Sequence, residues 1–251
     1  MLNGIFLEVC CGSVDDAIEA SSGGADRVEL NSSMFFGGLT PSMGSVIEAK
    51  KQLDIPVIVM IRPRGGGFCY TAVEYEIMLH DTKLALDNGA DGIVFGILKP
   101  DGTIDVHRSM EIVKLAKAAG KDIVFHRAFD VTPNPFVALE QLIDMGIDRI
   151  LTSGQEDSVP QGIPLLKQLI EKAGERIEIL PGGGIKQHNA AFVIKQTGTK
   201  MIHIAAFKTM IDNSCQNRPA VTFGGCLYPP ENQFDLINRD IIKAVSDICK
   251  G

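Results

Sequence analysis

The sequence predicts an α/β protein in which residues 1–251 form a single (β/α)8 TIM barrel. Three observations carry that expectation. Eight strand-like segments alternate with helix-like ones with no linker between units, and strict β-α alternation implies a parallel sheet. The strands are rich in valine and isoleucine and lack clean polar–apolar alternation, as strands covered on both faces do. The length of 251 residues matches the roughly 250 that eight such units need to close. The competing architecture, an open doubly wound sheet, usually has fewer units and a GxGxxG turn after its first strand. That turn is absent after residues 4–11 (GIFLEVCC).

The units follow in order. After the first strand, Ser13 reads as a helix N-cap with Asp16 three positions on. Val14, Ala17 and Ile18 form the apolar stripe, and Gly23-Gly24 ends the helix. Ala25–Asn31 is the second strand. Gly37-Gly38 leads to Thr40-Pro41, a suitable N-cap and first helical position, for a helix running to about Leu53. Pro56–Ile61 is the third strand, followed by a helix over 71–88 with Val73, Ile77 and Leu84 on its apolar face. Asp91–Ile97 is the fourth strand, and Val106, Met110 and Val113 mark the next helix. Asp122–Asp130 starts as a short apolar strand and breaks into His126, Arg127 and Asp130; a buried strand carries such groups only where its end needs them. Asn134-Pro135 opens a helix with Phe136, Leu139 and Ile143 inward, closed by Gly146. Asp148–Ser153, Ile177–Leu180 and Lys200–Ile204 are the last strands, with helices around Leu165–Ile170 and 186–196. Residues 208–235 lose periodicity and exceed the ~12–15 residues usual for a structureless loop, so an irregular insertion over one barrel end is expected. Asp240–Cys249 recovers a helical stripe through Ile241, Val245 and Ile248.

Hydrophobic residues are 45% and charged ones 22% of the chain, enough apolar material for a substantial core. The net charge of −7 argues against nucleic acid and anionic membranes, which want a basic face. A small anionic ligand needs only a few local arginines. No run approaches the ~20 apolar residues of a membrane helix, and residues 1–8 lack the basic start of a secretory leader. A cytoplasmic protein is therefore expected, with its six cysteines reduced. No CxxC occurs, so a structural zinc site is not expected.

In such a barrel the site forms at the C-terminal strand ends, and alternation along each strand tells which side chains share a face. Phe6, Glu8 and Cys10 share one; so do Arg27, Glu29 and Asn31; Ile58, Met60, Arg62 and Arg64; Val124, His126 and Ala128; Met201 and His203. With these faces inward, Glu8, Glu29, Arg62, His126 and His203 converge on the barrel mouth. Glu8, Glu29, His126 and His203 are the candidate acid–base groups, imidazole being the side chain that moves protons near neutral pH. Arg62 and Arg64 suit a carboxylate or phosphate held by paired hydrogen bonds. Asn31, Asp130 and Ser153 add polar contacts, and the backbone of Gly182, Gly183 and Gly184 can approach an anion after the seventh strand. Plainer readings stand beside these: a structural Glu29–Arg62 pair, a tight turn at the glycines, a core role for His203. Arg127, opposite in parity to His126, is expected to brace the strand from outside. Cys10-Cys11 offers soft donors for Cu(I), although parity sends the two thiols to opposite faces. A divalent ion held by Glu8, Glu29 and a histidine is the other metal option.

Taken together, the strings LEVCC (7–11), GADRVELN (24–31), GGLTPSMG (37–44), VMIRPRGGGFCY (59–70), FHRAFD (125–130), LTSGQ (151–155) and PGGGI (181–185) resemble the CutC family of copper homeostasis proteins. The resemblance implies a TIM barrel, a cytoplasmic location, a role in copper handling and a homodimer. Where many members have a cysteine proposed as a copper ligand, this chain has Asn31. It also lacks an arginine shortly beyond His203, where Ile204-Ala-Ala-Phe207 follows. The residues themselves point to an enzyme, a lyase, isomerase or hydrolase, acting on a polar or anionic metabolite. Direct Cu(I) binding without catalysis is the alternative.

Overall fold

A computed structural model describes residues 4–223 and 231–251. Eight parallel strands form the ring: β1 (Phe6–Cys11), β2 (Arg27–Leu30), β3 (Val57–Met60), β4 (Gly92–Phe95), β5 (Asp122–Phe125), β6 (Arg149–Thr152), β7 (Glu178–Pro181) and β8 (Met201–Ile204). Each pairs with the next from β1 to β7, and β1 pairs with β8. The ring closes between β7 and β8 through a bridge from Gly182 to His203. The helices are α1 (Val14–Ser22), α2 (Met43–Gln52), α3 (Ala72–Asp87), α4 (Val106–Ala118), α5 (Pro135–Asp144), α6 (Val159–Ala173), α7 (Ala190–Thr197) and α8 (Arg239–Lys250). None among the described residues is long and apolar enough to cross a membrane.

Alternation divides the buried residues into two layers. Leu7, Val9 and Cys11 face the helices with the larger core. Ile58, Met60, Val94, Val124, Leu151, Leu180 and Met201 fill the ring's interior, with Phe6 against them. This apolar plug leaves the C-terminal ends of the strands as the place where polar groups can gather.

Local signals explain the element starts, and several differ from the sequence reading. Ser13 caps α1 by accepting the Asp16 N–H. The cap of α2 is Ser42, which accepts the Ser45 N–H; Thr40 Oγ1 instead accepts the N–H of Arg62 at 2.8 Å. Thr71 and Glu74 form a capping box on α3. The face of α3 that packs holds Tyr75, Met78, Thr82 and Ala85, while Val73, Ile77 and Leu84 are exposed. α3 carries two apolar stripes, so periodicity alone picked the wrong one. α7 starts at Ala190, later than expected. The 208–235 segment is not wholly irregular: β9 (Phe207–Ile211) and β10 (Gln233–Ile237) form an antiparallel ribbon, tied to α1 by the Ile237 N–H donated to Asp16 Oδ1 at 2.7 Å. Residues 224–230 of that segment, Cys226 among them, lie outside the described residues.

Candidate active site

A cavity of about 280 Å³ opens at the C-terminal ends of the strands. Cys10, Glu29, Arg62, His126, Arg127, Gly182, Gly183 and His203 line it, with Met60, Phe68 and Leu151 as apolar wall. A hollow of about 300 Å³ opens at the other end, where β7 and β8 begin, and holds neither imidazole nor thiol.

One wall comes from β8, β1 and β2, which are adjacent in the ring. Glu8 lies just beneath the cavity, 2% exposed. Its Oε1 meets His203 Nδ1 at 2.7 Å, and its Oε2 accepts from Arg27 Nε. His203 turns Nε2 toward Glu29 Oε2, 4.0 Å away. That same oxygen accepts the Asn31 amide at 2.9 Å and the Cys10 thiol at 3.4 Å. Glu29 Oε1 makes no hydrogen bond to any described residue, so one carboxylate oxygen is held and the other is free. Burial alone would raise Glu8, but the His203 hydrogen bond and the Arg27 charge outweigh it and bring its pKa down to about 2. Burial, with the neighbouring Glu8 charge, raises Glu29. Burial works against the His203 cation, yet Glu29 and Glu8 overcome it and raise its pKa. Burial and Glu29 push the Cys10 thiol well up.

The wall continues at the end of β3, next to β2, and at the end of β5. Arg62 is anchored by donating to the carbonyls of Phe36, Gly38 and Gly66 at 2.7–3.0 Å, and its guanidinium lies over the Phe68 ring. His126 is 4% exposed. Its Nδ1 accepts the Ala128 N–H at 3.1 Å, while its Nε2 has no partner. Burial and the Arg62 charge hold its pKa down to about 3, so the ring is neutral. Gly96 makes room for it: a Cβ there would stand 2.4 Å from His126 Cε1.

The sequence-derived candidates thus separate. Glu29, Arg62, His126, His203, Gly182 and Gly183 surround one cavity, with Cys10. Arg64 does not: it pairs with Glu74 at 2.6 Å and with loop carbonyls, because β3 ends at Met60 and alternation no longer governs position 64. Asp130 and Ser153 bond to each other, and Asp130 also holds Arg127 at 2.7 Å; neither lines the cavity. Gly184 packs on Ser158. Asn31 touches Glu29 rather than the cavity, and the anticipated Glu29–Arg62 pair is not formed. Cys11 faces the outer core. Arg127 was misplaced by parity: the chain enters a 3-10 turn at Arg127–Val131, which swings its side chain round to the cavity. Arg27 was on the right face, but its pairing with Glu8 was not foreseen.

Among the described residues one group could hold a metal ion: Cys10, Glu29 and His203, with ligand atoms within 4.8 Å of one another. The set fits Cu(I) poorly, since soft thiolate donors select that ion. Here one thiol is available, it is held protonated, and its neighbour Cys11 points away. Both oxygens of Glu8 are already engaged, by Arg27 and by His203.

Comparison with known proteins agrees with the motif resemblance. The sequence model of the CutC family matches residues 5–208. The chain belongs to the CutC family. A CutC family protein of Treponema denticola is 48% identical over 239 residues, 95% of this chain and 96% of that protein. The human copper homeostasis protein cutC homolog is 41% identical over 249 residues, 99% of this chain and 90% of the human one. The crystal structure of a copper homeostasis protein CutC from Streptococcus agalactiae superposes with a TM-score of 0.75 at 36% identity, covering 79% of this chain and 97% of that one. This CutC-family barrel therefore carries its polar layer on a scaffold shared with those relatives, and the family match ends where the β9–β10 ribbon begins.

Proposed function

We propose that the protein is an enzyme that moves a proton on a small polar or anionic metabolite bound in the barrel mouth. One observation carries the proposal. Glu8 and Glu29 sit on adjacent strands, both face His203, and their pKa values are driven in opposite directions. Two carboxyl groups separated in this way are the pattern of assigned acid–base roles. Glu8 stays ionised and fixes the His203 ring through Nδ1. Glu29, which lines the cavity and whose described hydrogen bonds all fall on Oε2, is the group that takes or gives the substrate proton. Arg62 and Arg127 supply positive charge for an anionic group, and Gly182-Gly183 brings backbone close to it.

The test is a thermal-shift screen of carboxylated and phosphorylated metabolites on wild type and Glu29→Gln, followed by turnover assays. A ligand at about 100 times its Kd adds roughly 2.7 kcal/mol, some 5–10 °C for a chain of this size. If no metabolite stabilises the wild type, the enzymatic proposal is wrong. Turnover is expected in wild type and not in Glu29→Gln.

The cluster of Cys10, Glu29 and His203 favours a second reading, direct copper binding, and the human relative's name supports a cellular role in copper homeostasis for this chain as well. Titrating the reduced protein with Cu(I) separates the two. Stoichiometric binding that is lost in Cys10→Ser, without metabolite turnover, would replace the enzyme by a copper carrier.

A further inference from the structure

Three strands round the ring from Glu29, at the end of β5, two residues that line the cavity carry N–H groups with no acceptor. His126 Nδ1 accepts a backbone N–H, so the hydrogen of the neutral ring sits on Nε2, and that atom is unpartnered. The ring cannot easily turn away, because Gly96 backs it and Phe68 lies 4.9 Å from its centroid. Arg127 gives Nε to Asp130 and Nη2 to Ser153, leaving Nη1 beside Gly183. In the eight-membered ring β5 stands three strands from β2, which carries Glu29. A molecule bound in the cavity therefore meets the His126 and Arg127 side chains on one arc of the wall and Glu29 on another.

Building on the acid–base reading above, we infer that the substrate is a small carbonyl compound bearing a carboxylate or phosphate, and that the reaction proceeds by enolisation. Glu29 Oε1 removes a proton from the carbon next to the carbonyl. The C–H electron pair becomes the C=C bond, the carbonyl π pair moves onto oxygen, and His126 Nε2–H hydrogen-bonds that oxygen as its charge develops. The proton then returns from Glu29 to the same carbon as the carbonyl re-forms or, where that carbon carries a hydroxyl, to the former carbonyl carbon while the hydroxyl proton passes to the enolate oxygen, giving an isomer; no redox partner is needed. A neutral imidazole donor suits this step, since it stabilises an oxyanion without surrendering its own proton. The anionic group lies against Arg127 Nη1, with Arg62 adding to the field. At ~30 Å³ per water molecule, the volume of about 280 Å³ admits roughly ten non-hydrogen atoms.

The experiment follows loss of the carbon-bound α-proton by NMR in D2O, with dihydroxyacetone phosphate, hydroxypyruvate and neutral dihydroxyacetone as probes. Wild type is expected to speed exchange at least 10-fold over buffer for an anionic probe and not for the neutral one. Glu29→Gln abolishes the effect. His126→Ala lowers it by about 10²–10³-fold, the loss typical for one oxyanion donor. His126→Gln, which keeps an N–H near Nε2, restores part of it and serves in place of His126→Ala should the alanine variant fail to fold by its melting curve. No enzyme-dependent exchange with any probe, or equal exchange in wild type and the His126 variants, overturns the inference. A metabolite that stabilises and turns over without carbon–hydrogen exchange overturns it too, yet leaves the acid–base reading intact; absence of any stabilising metabolite removes both.

Discussion

Replacing Arg27 by methionine tests the electrostatic footing of the site. The Arg27 and Glu8 side chains are 6% and 3% exposed, so the carboxylate left behind cannot recruit water. Glu8 falls from 4.5 to about 2 in the folded protein, a difference of about 2.5 units. At 1.36 kcal/mol per unit, the folded state favours the ionised carboxylate by about 3 kcal/mol. Removing one member of a buried pair costs a comparable ~3–5 kcal/mol. Because His203 also supports Glu8, the expected loss in Arg27→Met is about 3 kcal/mol, or roughly 6–12 °C in melting temperature. The pH sign follows from the depressed pKa: the Glu8 contribution is present above about pH 4.5 and is lost as pH falls toward 2. Urea denaturation from pH 7 to pH 3 should show that acid slope in wild type and a shallower one in the variant. Glu8→Gln combined with Arg27→Met should recover stability relative to Arg27→Met alone. A loss under about 1 kcal/mol, or strict additivity of the two changes, would refute the claim that this pair underpins the mouth.

Two further outcomes use the same equilibrium assay. The His203 pKa is raised above 6.5, so its contribution is full below that value and declines as pH rises through the higher folded value. Urea midpoints between pH 6 and 9 should fall in wild type and flatten in Glu8→Gln; equal slopes would break the His203–Glu8 link. Gly96→Ala sets a methyl group 2.4 Å from His126 Cε1 and 2.7 Å from the Ala128 Cβ. Overpacking of this kind costs about 1–3 kcal/mol, and any ligand stabilisation should fall with it. Gly67→Ala, where no atom lies within 4 Å of the added carbon, is the control and should change neither.

What was legible followed from two regularities, and what was missed lies where they stop. Period-two alternation brought Glu29 and His203 to one hollow and put Glu8 beneath it, because all three sit within strands. Arg62 lies two residues beyond β3 and His126 one beyond β5, and alternation still holds for both. Arg64 is four residues beyond β3, and at Arg127 the chain has already entered a 3-10 turn, so alternation assigns both to the wrong side. The helix stripe failed on α3 because Val73, Ile77 and Leu84 have the right spacing on a helix with a second apolar stripe through Tyr75, Met78 and Ala85, the one that packs. The ribbon escaped notice because β9 and β10 leave residues such as Ile211 and Phe234 exposed, so no alternation of polarity marks them.

Asn31 decides which chemistry this mouth favours. The family resemblance gives many members a cysteine there, and a cysteine would add a second soft donor near Cys10. The amide does something else: its Nδ2 donates to Glu29 Oε2 and to the Glu29 carbonyl, while its Oδ1, buried without a partner, lies where a Cβ on Gly38 would clash. With Cys10 donating to the same oxygen, Oε2 is occupied and Oε1 is the atom left to act. A metal centre using Cys10 would need a proton taken from a thiol that burial and Glu29 keep protonated. Proton transfer through Glu29 needs no such step. The proposed proton transfer uses Glu29 and His126 as they stand, both lining one small cavity, whereas Cu(I) chelation would first have to deprotonate the Cys10 thiol.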